Sequence, residues 1–88
     1  MISKIIIGDN IIKCRKEDFG YTIFDGNLSI QVNNTFYYIL KCLAAKLNKE
    51  EIVSKLMETF DTQKIDKNII EEDIKYVVDY AKNKNWTF

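Results

Sequence analysis

Residues 21–36 read Tyr-Thr-Ile-Phe-Asp-Gly-Asn-Leu-Ser-Ile-Gln-Val-Asn-Asn-Thr-Phe, and the fold class is predicted from this segment. Apolar residues recur at every second position on both sides of Asp25-Gly26-Asn27, and Asp-Gly between two such runs is a strong hairpin signal. After Asn33 the apolar spacing becomes helical, and Asn33 or Asn34 can serve as the N-cap. The stretch therefore predicts an antiparallel sheet that is followed by helices.

The same spacings extend in both directions from this junction. Three strands are predicted between about residues 11 and 32, and Ile5–Ile7 is either a further short strand or a lead-in. Helices are predicted over about 34–47, 49–60 and 67–84. Asn48 with Glu51 resembles a capping box at the second helix, and Asp66 can cap the third. Asn83 or Asn85 can end the third in a left-handed conformation. The predicted fold class is α+β, with a three-stranded antiparallel sheet and three helices.

Length and charge limit the functions that the chain can have. Its 88 residues suit one domain, 1–88, with a single modest core. The 13 basic and 13 acidic residues cancel, which disfavours nucleic acid or an anionic membrane as partner. No apolar run is long enough for a signal peptide or a membrane span, so a cytoplasmic location is expected.

The side chains that most catalysis and metal binding require are scarce. Histidine is absent, and the two cysteines, Cys14 and Cys42, form no metal-binding motif. The acidic run Glu71-Glu72-Asp73 lies on a predicted helix, where consecutive residues point in different directions. We therefore expect no catalytic residues, no metal site and no cofactor, and a protein that is not an enzyme.

The order of the motifs resembles the PqqD-like family, also called the RiPP recognition element. Residues 15–25 read Arg-Lys-Glu-Asp-Phe-Gly-Tyr-Thr-Ile-Phe-Asp, Val32-Asn33 marks the strand-to-helix junction, and Asp73-Ile74 lies in the last helix. The resemblance covers nearly the whole chain. Two positions depart from the family, which often has Asp-Gly where this chain has Lys46-Leu47-Asn48, and Gly where it has Asn85.

The resemblance implies a winged-helix-like domain that binds the leader segment of a ribosomally made precursor peptide. Such a domain delivers the peptide to a separate modifying enzyme, such as a peptidase, a cyclase or a radical SAM enzyme. In the family, the leader adds as a strand beside the third strand and packs against the third helix.

The residues themselves give this binding mode a place. As the last strand of a meander, residues 28–32 would be an open edge that can accept a peptide strand. Helix 3 carries a flank at helical spacing next to Val77 of its inward stripe. The predicted peptide-binding residues are Leu28, Ser29, Ile30, Gln31, Val32, Ile69, Asp73, Tyr76, Val77 and Tyr80. An alternative is that the two tyrosines only broaden the core.

Two other functions remain open. A winged-helix DNA-binding regulator would need a basic recognition helix, whereas residues 66–80 hold five carboxylates and two lysines, a balance of −3. A detached accessory domain of a radical-based peptide-modifying enzyme would have its catalytic residues on another part of the protein or another chain. An initiator Met1 favours a free-standing protein over this second alternative.

Overall fold

A computed structural model describes residues 2–59 and 67–86, and this part of the chain forms four strands and three helices. The strands come first and the helices follow, as predicted. In chain order the elements are β1 (Ile2–Ile7), β2 (Asn10–Lys16), β3 (Tyr21–Asp25), β4 (Leu28–Val32), α1 (Asn34–Ala44), α2 (Lys49–Thr59) and α3 (Lys67–Asn83). The fold class is α+β.

The sheet has four strands, so the prediction of three was wrong. All neighbours are antiparallel in the order β1-β2-β3-β4, which makes β1 and β4 the two edges. The additional strand, β1, contains Ile5–Ile7, for which a short strand was one of two alternatives, because three consecutive isoleucines hide the alternation expected of a half-buried strand. In the structure the alternation is present, since Ile5 and Ile7 are buried while Ile6 is 61% exposed.

Tight turns fix the register of the sheet. Ile7 pairs with Asn10, and Asp25 pairs with Leu28, so both outer hairpins have two-residue loops. Gly8 and Gly26 are the first residues of these two loops, with φ of 58° and 61°. The favoured two-residue hairpin turns need a positive φ at this position. Between β2 and β3, residues 17–20 form a longer turn in which the Glu17 N–H donates to the Gly20 carbonyl at 2.8 Å.

Local capping sets the helix boundaries. The Asn33 side chain accepts a hydrogen bond from the Phe36 N–H at 2.8 Å, which confirms the predicted N-cap of α1. Asn48 and Glu51 form the predicted reciprocal capping box, with bonds of 3.1 and 2.8 Å. The predicted N-cap of α3, Asp66, and the predicted last residue of α2, at position 60, lie outside the described residues.

Helix α1 ends at Ala44, three residues before the predicted end. Lys46 has a left-handed φ of 64°, and the Leu47 N–H turns back to donate to the Cys42 carbonyl at 3.1 Å. This is a Schellman motif, and Leu47 still packs partly against the core. Because Leu47 keeps the apolar spacing of the helix, spacing alone could not show that the chain had already turned.

The same motif ends α3 and brings the next segment onto the core. Asn85 has φ 60°, and the Trp86 N–H donates to the Ala81 carbonyl at 2.9 Å, as one of the two predicted endings requires. Trp86 is 3% exposed, and its indole N–H donates to the Asp25 carboxylate at 3.1 Å. The end of α3 is thereby fixed to the β3–β4 hairpin.

The core lies between one face of the sheet and the three helices. Fully buried side chains come from every layer: Ile7, Ile12, Cys14 and Ile23 from the sheet, and Ile39, Leu40, Ile52, Leu56 and Val77 from the helices. On the opposite face of the sheet the side chains of β1 and β2 are exposed, whereas Thr22 of β3 is buried. No described strand pairs with the outer side of β4.

Candidate binding groove

A groove of about 440 Å³ lies between the open edge of β4 and the exposed flank of α3. Helix α1 supplies its floor. Seven of the ten residues predicted for peptide binding line this groove: Ile30, Gln31, Val32, Asp73, Tyr76, Val77 and Tyr80. The two elements that the family resemblance implies as one site are thus adjacent in space.

The strand side of the groove offers backbone hydrogen-bonding groups. β4 has a neighbouring strand, β3, on one side only. Asp25 and Leu28 flank the two-residue turn and form the first hydrogen-bonded pair of the β3–β4 ladder. In an antiparallel ladder, hydrogen-bonded pairs alternate with non-bonded ones, so Leu28, Ile30 and Val32 bond to β3. The amides and carbonyls of Ser29 and Gln31 therefore point to the open edge, towards any strand that adds there.

The helix side of the groove is aromatic. The ring of Phe36, from α1, packs edge-on against Tyr76 with centroids 6.1 Å apart and against Tyr80 with centroids 5.6 Å apart. Tyr80 also meets Trp86 at 5.6 Å. Such edge-to-face contacts hold rings in place without covering their outer faces. The cluster therefore forms an aromatic wall on this side of the groove.

Exposure separates the roles of the three predicted α3 residues in this wall. Val77 is 1% exposed and belongs to the core, whereas Tyr76 is 65% exposed and Tyr80 is half-buried. Tyr76 thus does not broaden the core, which was the alternative reading of the two tyrosines. Tyr80 has a core side, against Phe36 and Trp86, and a side that faces the groove.

One carboxylate gives the groove its charge. Partial burial raises the pKa of Asp73, and the neighbouring Glu72 raises it further. Burial also raises the pKa of Tyr80, with smaller contributions from Asp25 and Tyr76. In the part of the chain that the structure describes, no lysine or arginine lines the groove. A bound segment therefore meets a negative field, which favours cationic over anionic side chains at this point.

Three predicted residues lie outside the groove. Ser29 is on the opposite face of the strand from Ile30, Leu28 is 56% exposed at the hairpin, and Ile69 is 52% exposed. Ile69 fits the helical spacing of the flank but lies one turn before Asp73, beyond the floor that α1 provides. Ser29 retains a place at the site through its backbone alone.

Four lining residues were not predicted: Asn33, Thr35, Phe36 and Ile39. All come from the start of α1 or its cap. Phe36 and Ile39 belong to the helical apolar spacing that follows Asn33, and such spacing does not show which of its residues border a cavity. Their role follows from the packing of α1 between sheet and α3.

The described residues contain no group of three or more potential metal ligands. Glu71 of the acidic run forms ion pairs with Lys49 at 3.5 Å and Lys67 at 4.0 Å. Both cysteines are buried, and burial raises the pKa of Cys14 to about 11. Within residues 2–59 and 67–86, no helix has the length and apolar character needed to cross a membrane.

Comparisons with protein-family models, with curated proteins and with solved structures found no match to this chain. The function is therefore inferred from the geometry of the groove and from the resemblance of the sequence to the PqqD-like family.

Proposed function

We propose that this protein is a winged-helix-like, PqqD-like domain that binds the leader segment of a precursor peptide. The observation that carries the proposal is an open, uncharged strand edge alongside an aromatic groove of about 440 Å³. Strand addition needs free backbone groups in a row, and selectivity needs a neighbouring pocket for side chains. Here both requirements are met on adjacent elements.

The bound segment would lie as a fifth strand, antiparallel to β4. Its backbone would pair with the amides and carbonyls of Ser29 and Gln31, which supports register with little dependence on sequence. An apolar or aromatic side chain would then enter the groove against Tyr76 and Tyr80. Buried aromatic anchors commonly supply most of the binding energy at such interfaces.

The proposed role is delivery, without catalysis by this chain. A separate modifying enzyme, such as a peptidase, a cyclase or a radical SAM enzyme, would act on the peptide while this domain holds it. Tethering of this kind raises the local concentration of the substrate and needs no contact with the reacting atoms. Omission of the domain from a reconstituted reaction should therefore slow modification of leader-bearing peptide.

The acidic character of α3 disfavours the DNA-binding alternative. A recognition helix in the major groove must approach phosphates, whose binding needs clustered lysine and arginine. Before Lys82, α3 contains two lysines, Lys67 and Lys75. It contains four carboxylates, which are Glu71, Glu72, Asp73 and Asp79. Saturable sub-micromolar binding to duplex DNA at moderate salt would replace the peptide proposal with that of a regulator.

A direct test uses fluorescence anisotropy with short peptides encoded beside this gene. Tyr76→Ala should weaken binding by about 1–3 kcal/mol, roughly five- to 150-fold in Kd, if the ring lines a desolvated pocket. Because Tyr76 is 65% exposed in the free protein, its removal should leave stability nearly unchanged. Ile11→Ala, an exposed apolar truncation on the opposite face of the sheet, serves as the matched control.

The strand edge is tested separately by a pair of substitutions at one position. Gln31→Pro removes an amide from the open edge but not from the β3–β4 ladder, while Gln31→Ala keeps the amide. We expect the proline variant to lose affinity and the alanine variant to retain it, with circular dichroism showing that both are folded. Equal affinities would exclude strand addition at this edge.

Amide hydrogen exchange locates the site without mutation. Peptide should protect β4 and the stretch from Asp73 to Tyr80. A competing depression of about 610 Å³ lies on the helical surface and is lined by charged residues such as Lys49, Glu71 and Lys75. Protection there, with β4 and the aromatic wall unchanged, would show that peptide binds but that this site assignment is wrong.

A further inference from the structure

The uncovered face of the sheet carries a second surface, which the peptide groove does not use. Strand alternation places the even-numbered residues of β1 and the odd-numbered residues of β2 on this side. We call it the outer face, and its members from these two strands are Ile2, Lys4, Ile6, Ile11, Lys13 and Arg15. Phe24 joins them from β3, since the Arg15 guanidinium lies 5.5 Å above its ring.

Three isoleucines of the outer face are largely open to solvent. Ile2, Ile6 and Ile11 are 63%, 61% and 60% exposed, and Ile6 lies directly opposite Ile11 in the register of β1 and β2. The solvated face of an antiparallel sheet is ordinarily polar. Grouped exposed apolar residues on one flat face are typical of a surface that another molecule covers.

The charges between these isoleucines have one dominant sign. Lys4 lies directly opposite Lys13, an arrangement that costs stability because like charges face each other across the strands. Neither lysine forms an ion pair with a described residue, whereas Arg15 pairs with Glu17. Among the residues that the structure describes, the outer face therefore has the cations Lys4, Lys13 and Arg15, and only Arg15 is paired with a carboxylate.

We infer that the outer face docks a protein partner whose contact surface sets carboxylates among apolar side chains. Such a surface would cover the isoleucines and place negative charge against Lys4 and Lys13, removing the repulsion between them. A symmetric pair of copies of this chain does not fit. In a two-fold interface both contacting faces would carry the same excess of positive charge, and neither would supply carboxylates to Lys4 and Lys13.

This inference stands independently of peptide binding. The outer face and the groove lie on opposite sides of the sheet, so both can be occupied together. Only the identity of the partner rests on the proposed function: in a delivery domain, the acidic partner would be the modifying enzyme. One protein would then hold its peptide on the helical side and its enzyme on the open side.

The test uses model helices of defined chemistry and amide chemical shifts of the intact protein. The probe is a helical peptide with leucines on one face and glutamates flanking them, and its two comparison peptides replace Glu by Lys or Leu by Ser. The Glu/Leu peptide should shift the amides of β1 and β2 in a saturable manner. Both comparison peptides should bind at least about tenfold more weakly.

A single charge reversal checks that the lysines are responsible. Lys13→Glu creates a favourable pair with Lys4 and should not weaken the fold, yet it should lower affinity for the Glu/Leu peptide by about tenfold. Lys55→Glu, on the exposed surface of α2, makes the same change in net charge and should leave affinity unchanged. Groove binding by leader peptide should be the same in both variants.

Several results would overturn the inference. These are equal binding of the Lys/Leu and Glu/Leu peptides, shifts confined to residues outside β1 and β2, or no saturable shift at all. Binding to vesicles of phosphatidylcholine with phosphatidylglycerol through the same amides would replace a protein partner with a lipid surface. Self-association through β1 and β2, seen by sedimentation equilibrium, would replace it with a second copy.

Discussion

Replacement of Gly20 by alanine should be among the most damaging single-methyl additions in this chain. Gly20 has φ +150°, a conformation that side chains rarely adopt, and a Cβ there would lie 2.3 Å from the Val32 carbonyl oxygen. It would also lie 2.8 Å from the Cα of Asn33. Both contacts are with backbone, so no side-chain rotation can relieve them. The junction between β4 and α1 must move instead.

The expected cost has two parts. Backbone strain at such a φ contributes about 1–3 kcal/mol. Displacement of a packed backbone to admit an extra methyl group contributes about 1–3 kcal/mol more. Gly20→Ala should therefore destabilise the protein by roughly 4 kcal/mol, a large share of the 5–15 kcal/mol typical of small domains.

Gly26→Ala supplies the matched control. Gly26 also has positive φ, 61°, but a Cβ there meets nothing within 4 Å. Only the backbone strain remains, so we expect Gly26→Ala to lower the free energy of unfolding by about 1–2 kcal/mol. Urea denaturation followed by circular dichroism measures both. Equal losses in the two variants would refute the argument that the close approach to Val32 and Asn33 makes Gly20 necessary.

Three further predictions concern a helix end, a groove carboxylate and a core thiol. Lys46→Gly should stabilise the protein by about 0.5–1 kcal/mol in urea, because Lys46 holds φ 64° at a position that suits glycine; no gain over Lys46→Ala would contradict this. Asp73 has a raised pKa in the folded state through burial and Glu72, so its ionisation lowers stability as pH rises through that pKa. Asp73→Asn should thus give a small gain at pH 7 that disappears below about pH 3, and an equal gain at both pH values would rule out a charge effect. Cys14, with a pKa of about 11, should resist a thiol reagent such as dithionitrobenzoate in native protein at neutral pH and react at once in denaturant; rapid native labelling at Cys14 would show that the core opens readily.

Local signals were enough to predict most of the fold. The Asn33 cap, the capping box at Asn48 and the left-handed Asn85 each depend on a few neighbouring residues, and all three are present in the structure. The errors arose where spacing and backbone disagree. Ile5–Ile7 has no visible alternation although its strand is half-buried, and Leu47 keeps helical spacing after the chain has turned.

The groove shows a different limit. Its strand edge follows from topology, because the last strand of a meander has no further neighbour, and the tyrosines follow from the spacing of α3. The floor, formed by Phe36 and Ile39, depends on how α1 packs against α3. The apolar spacing within each helix does not show how the two helices pack against each other. Ile69 was included because spacing alone cannot show where along a helix a cavity ends.

The two edges of the sheet differ in a way that bears on function. Strand edges in water are a hazard, since they can pair with other chains, and proteins usually protect them with charge, proline or a bulge. β1 has such protection. Because Ile7 and Asn10 are the hydrogen-bonded pair next to the turn, the alternation of the ladder leaves the backbone groups of Lys4 at the outer edge, and Lys4 adds a positive charge there. β4, Leu28–Val32, has no charged residue and no proline, and its register with β3 is continuous from Tyr21 to Asp25.

An unprotected edge next to a preformed aromatic groove has two possible partners, a peptide strand or the β4 of another copy. A second copy would bring the Asp73 carboxylate of each protomer towards the same junction, and like charges there would oppose pairing. Under the proposed function, a peptide with an apolar anchor and a nearby cation would fill the groove and pair with that carboxylate. The groove has a strand on one side and a carboxylate with tyrosines on the other, and this asymmetry favours a peptide strand over the β4 of a second copy. Bound peptide should therefore lower any self-association of the protein in proportion to the fraction of grooves that it occupies.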